Sequence, residues 1–405
     1  MTETWIGRQP IFDRQLATYA YELLFRSPHV ASPIDVPGAA ATAQVIVGSL
    51  VDLGLERVVG SAPAFINLTR AFVVGDHPLP LPPERVVLEL LEDIDGDPEV
   101  VRGVERLRAR GFKFALDDVT EVRPGLMPLL EHVEVVKVDC LHRSAADIAA
   151  ILQRLKPYDA KLLAEKIETQ AELETCRLLG FDYFQGYFLE RPNVVKAHVL
   201  SPTRLQLLRL IAELQSPDVS FERIEEIVRV DLALSLKLLA CANSAMYGVA
   251  RRIDTVRDAV VYLGLLNTRN LVTLILLSRI EDKPPELLLL AMTRARMCES
   301  IAHARKRPDS RSAFTVGMFS LLDAILDQPM GKILESLPLG AGAKGALTER
   351  EGELGALLDA VVCCERGEWD SVERKLGREA PVLDCFLESV AWATEIRRSL
   401  AGATA

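Results

Sequence analysis

The chain has 405 residues, 49% of them hydrophobic and 26% charged, which excludes a disordered polymer and makes two domains the natural expectation. Its formal net charge is −10 and no basic block stands out, which argues against a partner gripped through nucleic-acid phosphates. The seven cysteines are scattered, odd in number and mostly set in apolar runs, as free core thiols of a reducing cytoplasm would be.

Along residues 1–200, strand-like and helix-like segments alternate. Trp5 to Phe12 and Thr18 to Phe25 read as a hairpin, followed by a helix over Ala39 to Leu55. Further strands are predicted at Pro63 to Leu68, Arg85 to Leu91, Phe112 to Leu116, Val133 to Val138, Lys161 to Ala164 and Tyr183 to Leu189. Helices are predicted over Pro98 to Arg110, stopped by Gly111, over Ala145 to Leu155, and over Gln170 to Leu179, stopped by Gly180. Repeated strand–helix units imply a parallel sheet with helices outside it, and about seven or eight strands in about 200 residues suit a closed TIM-like α/β barrel. An open doubly wound sheet would carry a glycine-rich phosphate loop after its first strand, and this chain has none there.

From about Ser201-Pro202 onward the pattern is helical, with apolar residues recurring at Leu205, Leu208, Ile211, then Ile224, Ile227, Val228, then Leu234, Leu238 and Leu239. Residues 201–405 are therefore expected to form an all-α domain, with the glycine-rich stretch Leu337 to Gly345 as a loop. The first residues, Met1-Thr2-Glu3-Thr4-Trp5, lack the basic and apolar regions of a signal peptide. The longest apolar runs, such as Leu271 to Leu277, fall short of the roughly 18 residues a membrane span needs. A cytoplasmic protein without a membrane partner is the expectation.

The chemistry is concentrated where the predicted strands end. Glu22, Asn67, Glu89, Asp117-Asp118, Lys137, Asp139, Glu165 and Gln185 each follow or flank an apolar run. In a parallel barrel the carboxyl ends of all strands meet on one face, where catalytic residues gather. A single acidic residue at a strand end is ordinarily a helix cap. Many of them on one face repel one another unless a cation neutralises them, and all-oxygen donors favour Mg²⁺ or Mn²⁺. Hard divalent ions beside a lysine suit chemistry at a phosphodiester.

These residues carry a resemblance. Gln9-Pro10-Ile11, Glu22-Leu23-Leu24-Phe25-Arg26, Asn67, Glu89 with Glu92, Asp117-Asp118, Lys137-Val138-Asp139, Ala164-Glu165-Lys166-Ile167-Glu168-Thr169 and Gln185-Gly186-Tyr187-Phe188 follow the order and spacing of an EAL domain, a metal-dependent cyclic di-GMP phosphodiesterase fold. The resemblance implies that Glu22, Asn67, Glu89 and Asp117 bind one metal ion and that Asp117 and Asp118 reach a second. It implies Glu165 as general base helped by Lys137, and Glu92, Asp139 and Glu168 as supports. Gln9, Arg26 and Gln185 would contact the dinucleotide.

The chain departs from the family after Asp118, where Val119-Thr120-Glu121-Val122-Arg123-Pro124 replaces Phe-Gly-Thr-Gly and a polar loop. In the family that loop couples dimerisation to metal loading, with the residue matching Glu92 holding it. Loss of such support weakens metal affinity or activity by roughly 10- to 100-fold. Lys166, where the family motif has glycine, and Arg8 add positive charge near the face.

In the second half, Asp231 leading a helix into Asn243-Ser244, and Tyr262-Leu263-Gly264 after Ile253-Asp254-Thr255, resemble an HDOD domain, a relative of HD phosphohydrolases without their metal ligands. Only His303 lies in this half, too few histidines for a metal-dependent HD site. Asp231 is expected as a helix N-cap, Asn243-Ser244 as a turn, and Arg251-Arg252 and Arg294 to Arg296 as solvated faces. The resulting expectation is a cyclic di-GMP signalling protein, EAL-like barrel then HDOD domain, that binds the dinucleotide with a divalent metal and recruits a protein partner, with homodimerisation open. The altered loop weighs against turnover to pGpG. An active phosphodiesterase and a nucleotide-independent scaffold are the alternatives.

Overall fold

The structure, a computed structural model, describes residues 5–26, 54–75, 79–190, 202–216, 218–244, 247–248, 252–280, 283–306, 310–377 and 380–402. The helix expected over 39–55 falls outside them except at its last two positions. The chain divides into two compact units, residues 1–189 with 364–369 and residues 190–363 with 370–405.

The first unit is a closed eight-stranded barrel in chain order. Its strands are β1 (Trp5–Phe12), β2 (Thr18–Arg26), β3 (Ala64–Leu68), β4 (Val86–Leu90), β5 (Lys113–Val119), β6 (Val135–Asp139), β7 (Lys161–Glu165) and β8 (Tyr183–Phe184). β1 runs antiparallel to both neighbours, because a short turn joins it to β2, and the other strand pairs are parallel. The expected α/β barrel is thus present, with one reversed strand.

Two predicted strand ends differ. β5 continues to Val119, with a register shift between Leu116 and Val119, and buried Val119 pairs with Val138. A β-branched apolar residue here prolongs the sheet where a glycine-containing loop would leave it. β8 ends at Phe184, and the chain turns into a 3-10 helix at Tyr187–Glu190. Gly186 makes that turn: its φ is 148°, and a Cβ would stand 2.1 Å from the Ile167 carbonyl oxygen.

The barrel interior explains the site. Ile11, Ala20, Phe65, Val87, Ala115, Val135 and Leu163 form a buried layer, with Tyr19 and Tyr183 packed against it. Side chains alternate across a strand, so the next inward position lies two residues on. Two residues beyond this layer stand Glu22, Asn67, Glu89, Asp117, Lys137 and Glu165; on reversed β1 the equivalent step runs backward, to Gln9. Outer helices are set by their caps. Asp97 accepts from Glu99 N and Val100 N at the start of Pro98–Ala109, and Ser144 and Thr169 form capping boxes at Ala145–Leu155 and Gln170–Leu179.

The second unit is helical throughout its described residues. Asp231 caps Leu232–Ala242 through Leu234 N at 3.0 Å, as expected for an N-cap, and also meets Arg279 at 2.5 Å. Asn243 is a clasp: its amide donates to Leu239 O and Ile253 O, and its oxygen accepts from Ile253 N. Val256–Leu277 is long and apolar enough to cross a membrane by composition, more than the sequence runs suggested, because few charges interrupt it. It is a core element instead, with 61% of its most apolar window buried and a break at Gly264, where φ is 77°.

Two expectations in this half are corrected. The glycine-rich stretch is not all loop: Ala341–Thr348 is a helix, in which the good helix formers Ala341, Ala343, Lys344, Ala346 and Leu347 outweigh Gly342 and Gly345, and buried Ala346 and Leu347 anchor it. Arg294 is not a solvated face but 2% exposed, inside Pro285–Ala304. That helix packs tightly on Ser310–Phe319, where a Cβ on Gly317 would lie 2.5 Å from the Arg294 carbonyl oxygen. Arg252 is exposed and pairs with Asp254, and Arg296 pairs with Glu299.

Candidate active site

At the carboxyl end of the barrel, one ammonium sits among four carboxylates. Lys137 Nζ lies 2.6 Å from Glu89 Oε1, 2.7 Å from Asp117 Oδ1, 2.9 Å from Glu165 Oε1 and 3.2 Å from Glu22 Oε2. Lys137 and Glu89 are fully buried, and Glu22 and Glu165 nearly so. Burial pushes the Glu89 carboxyl well above the usual range, with Lys137 opposing, and pushes Glu165 up to about 8 for the same reason. For Lys137, burial acts to lower the pKa, but the carboxylates, Glu165 foremost, hold it well above the ordinary lysine value.

Gln185 adds an amide to this layer, donating from Nε2 to Glu22 Oε2 at 2.7 Å and to Gln9 Oε1 at 3.1 Å. A cleft of about 320 Å³ opens above, lined by Gln9, Glu22, Asp117, Asp118, Leu141, Glu165, Lys166, Glu168, Gln185 and Tyr187. Glu168 is placed there by the capping box that follows it, its own N–H donating to Glu172. The structure thus brings together Gln9, Glu22, Asn67, Glu89, Asp117, Lys137, Glu165 and Gln185, with Asp118, Asp139 and Glu168 at the rim. The Arg26 side chain lies outside the described part of the molecule.

Glu92 stands apart. It is exposed and borders a neighbouring cleft of about 330 Å³ with Asp118, Thr120, Arg123 and Asp139. Its backbone carbonyl accepts from Arg123, whose guanidinium also pairs with Asp95, while Gly96 N donates to Gly125 O. An arginine clamp therefore holds the rebuilt segment after Asp118. Arg8 is not at the mouth: it faces outward from β1, donating to Val58 O at 2.7 Å and stacking 4.3 Å over the Tyr21 ring.

Lys166 is the residue whose part the sequence left undecided. Its Nζ lies 2.6 Å from Asp118 Oδ1 and 2.8 Å from Asp139 Oδ2, tying β5, β6 and β7 together at the rim. Partial burial acts against its charge, but Asp118 and then Asp139 hold its pKa above the usual lysine value. Leu141 went unnoticed, since it carries no charge that would mark it, and Tyr187 was quoted in a motif without a part in the site. Cys140 and Cys176 face each other behind this rim, Sγ to Sγ at 3.9 Å, and all seven cysteines are free and buried.

Among the described residues no three acidic, histidine or cysteine side chains converge on a shared open point as metal ligands, and the Lys137 ammonium takes the centre of the carboxylates. The donor set nevertheless fits a hard cation in kind. Asn67 Oδ1, Glu89 Oε2, Glu165 Oε2 and Gln185 Oε1 are buried without a hydrogen-bond partner, and Glu89 Oε1 faces Lys137 without hydrogen-bond alignment. Six carboxylates (Glu22, Glu89, Asp117, Asp118, Asp139, Glu165) meet only two ammoniums, Lys137 and Lys166. Buried oxygens with unspent lone pairs and surplus negative charge are what a divalent ion satisfies.

An eight-stranded barrel with an acidic mouth around a buried lysine, followed by a helical domain with a single histidine, defines the class. Sequence models agree: the EAL domain matches residues 62–192 and the HDOD domain residues 202–326. Gln9, Glu22 and Arg26 precede the matched EAL segment, and the first two join the site through the β1–β2 hairpin. A Vibrio cholerae serotype O1 protein named cyclic di-GMP phosphodiesterase CdgJ is 35% identical over 98% of this chain and 94% of its own length. YuxH of Bacillus subtilis is 28% identical over 96% and 97%. Similar solved structures include a standalone EAL protein of Vibrio cholerae O395 in its c-di-GMP bound form, 22% identical, TM-score 0.37, covering 46% of this chain and 90% of that one. Another is an EAL domain protein of Listeria monocytogenes, 20% identical, TM-score 0.36, covering 46% and 86%. The chain belongs to the EAL–HDOD family that includes CdgJ.

Proposed function

We propose that this protein is a bacterial, cytoplasmic cyclic di-GMP signalling protein whose barrel mouth binds the dinucleotide together with a divalent cation, and whose HDOD half engages a protein partner. The observation that carries this is the single layer of oxygen donors at the mouth, complete from Gln9 to Gln185 and bearing unpaired buried oxygens. A dianionic ligand does not enter a mouth with a surplus of carboxylates unaided. A hard divalent ion, Mg²⁺ or Mn²⁺, held by Glu22, Asn67, Glu89 and Asp117, would supply the bridging positive charge and polarise a phosphate oxygen. The Lys137 ammonium, which already engages Glu22, Glu89 and Asp117, would share these carboxylates with such an ion.

The remaining side chains orient the ligand. Gln185 and Gln9 form an amide pair at the cleft wall, fixed through Glu22, and present polar edges to a nucleotide. Arg26 is assigned to a phosphate and Tyr187 to a base. Glu92, Asp139 and Glu168 support the rim, and the mouth makes no use of nucleic acid. Homodimerisation is assigned to the barrel, where the family couples it to the loop after Asp118.

A second reading, hydrolysis of one phosphodiester to linear pGpG, is favoured by one observation. Glu165, with its carboxyl pushed up to about 8, stands 2.9 Å from Lys137 beside Asp117, so a base that can hold a proton near neutral pH lies next to a cation. The water oxygen would bond to phosphorus as one P–O bond to a sugar oxygen breaks, the ionised Glu165 carboxylate taking the water proton and the departing sugar oxygen leaving with a proton from solvent. The name of CdgJ favours the same activity. Incubating the protein with cyclic di-GMP and Mn²⁺ and separating the nucleotides by chromatography tests both. Intact dinucleotide co-migrating with protein supports binding alone, and pGpG from wild type but not Glu165→Ala supports turnover. No retention and no product would refute both.

A further inference from the structure

We propose that the Lys166 ammonium is a tethered counter-ion standing in for a second divalent cation at the rim, so that the mouth takes up one metal ion and not two. This rests on the cation site assigned above and deepens it.

Three observations meet at this residue. Lys166 Nζ bridges Asp118 Oδ1 at 2.6 Å and Asp139 Oδ2 at 2.8 Å, so carboxylate oxygens from the ends of two neighbouring strands are committed to one positive charge. The backbone there is left-handed, φ 57°, a region that side chains other than glycine's rarely adopt. A lysine persists in that conformation only where its contacts hold it, and the two ion pairs are those contacts. Asp118 is itself at φ 47°, turned out of the β5 ladder toward the rim, away from the Lys137 cluster that its neighbour Asp117 joins. The rim therefore already holds its own cation, while the inner carboxylates share a single ammonium.

The charge balance separates the two positions. Around Lys137, four carboxyl groups face one ammonium, and Glu89 Oε2, Glu165 Oε2 and the nearby Asn67 Oδ1 are buried without a partner, leaving oxygen donors for a further cation. At the rim, two carboxylates face one ammonium in two short contacts, and a divalent ion arriving on Asp118 would meet that fixed charge within a few ångströms. Ammonium and metal cannot share the same lone pairs, and like charges at that range repel. Tethering gives Lys166 a high local concentration that a free ion lacks.

The test counts bound ions without nucleotide, so it stands or falls separately from the ligand assigned above. Full-length protein stripped with a chelator is titrated with Mn²⁺, and free Mn²⁺ is read by electron paramagnetic resonance. Lys166→Gly removes the ammonium and relaxes the backbone; Lys166→Met removes the charge alone; Lys166→Arg keeps it. Circular dichroism and melting confirm that each variant is folded. The expected result is one more Mn²⁺ bound by the Gly and Met variants than by wild type and the Arg variant. Equal stoichiometry in wild type and both uncharged variants, or two ions already on wild type, would overturn the proposal.

Discussion

Replacing Lys137 by methionine removes the ammonium that four carboxyl groups share, while nearly preserving volume. Each contact, at 2.6–3.2 Å, is worth about 5 kcal/mol at an effective dielectric near 20, but removing the ammonium from water offsets most of that sum. What remains is the cost of breaking a buried ion cluster by deleting one partner, about 3–5 kcal/mol. For a unit of this size each kcal/mol shifts the melting temperature by about 2–4 °C, so metal-free Lys137→Met should melt about 6–20 °C below wild type. The loss should depend on pH. With Glu89 and Glu165 raised by burial, the folded state holds protons that the unfolded chain has released, so stability falls as pH rises. For Glu165 that window runs from the ordinary 4.5 to about 8. Removing Lys137 takes away what opposes the shift, so the variant's Glu165 keeps its proton above about 8, where wild type has released it, and the deficit should be larger at about pH 10 than at about pH 7. Urea unfolding of chelated protein at both values measures it. A variant within about 1 kcal/mol of wild type at the higher pH, or an equal deficit at both, would refute the cluster as drawn.

Other outcomes follow from single contacts. Asp231→Ala should cost about 1 kcal/mol through loss of the cap on Leu234 N. Because Arg279 and the cap hold the Asp231 carboxyl below the usual range, its contribution is present above the unfolded pKa and lost as pH falls through the folded one; acid unfolding curves of the two proteins should therefore converge. Gly186→Ala, forced into φ 148° and against Ile167, should cost about 1–3 kcal/mol and weaken ligand binding through Gln185, read by melting and by nucleotide titration. Arg123→Ala should change global stability by no more than about 1 kcal/mol, since its carboxylate partner is exposed, yet speed hydrogen exchange across 119–126.

Much of the barrel was legible because short apolar runs ended by polar residues are local signals. Glu22, Asn67, Glu89, Asp117, Lys137 and Glu165 could be picked out by residue type at strand ends, and the shared inward step from the apolar layer brings them into one layer. What was not legible depends on long-range geometry. Lys166 and Arg8 look alike in sequence, but β1 alternation turns Arg8 outward to Tyr21, while a left-handed residue after β7 turns Lys166 onto Asp118 and Asp139. Arg294 looks solvated among charged neighbours, yet its helix packs on that over 310–319 and the residue is buried. The helix at Ala341–Thr348 was hidden by its glycines, whose cost is met by packing that no local pattern reports.

A divalent ion and cyclic di-GMP are proposed to meet at the Glu22–Glu89–Asp117 layer. Calorimetric titration of full-length protein with cyclic di-GMP, in Mn²⁺ and again in chelator, beside Glu89→Gln, measures it most directly. Wild type should bind in Mn²⁺, with affinity lower by at least about 10-fold on chelation or in the variant, as loss of a metal contact implies. Equal affinity with and without the ion and in the variant, or no binding in any sample, would contradict it.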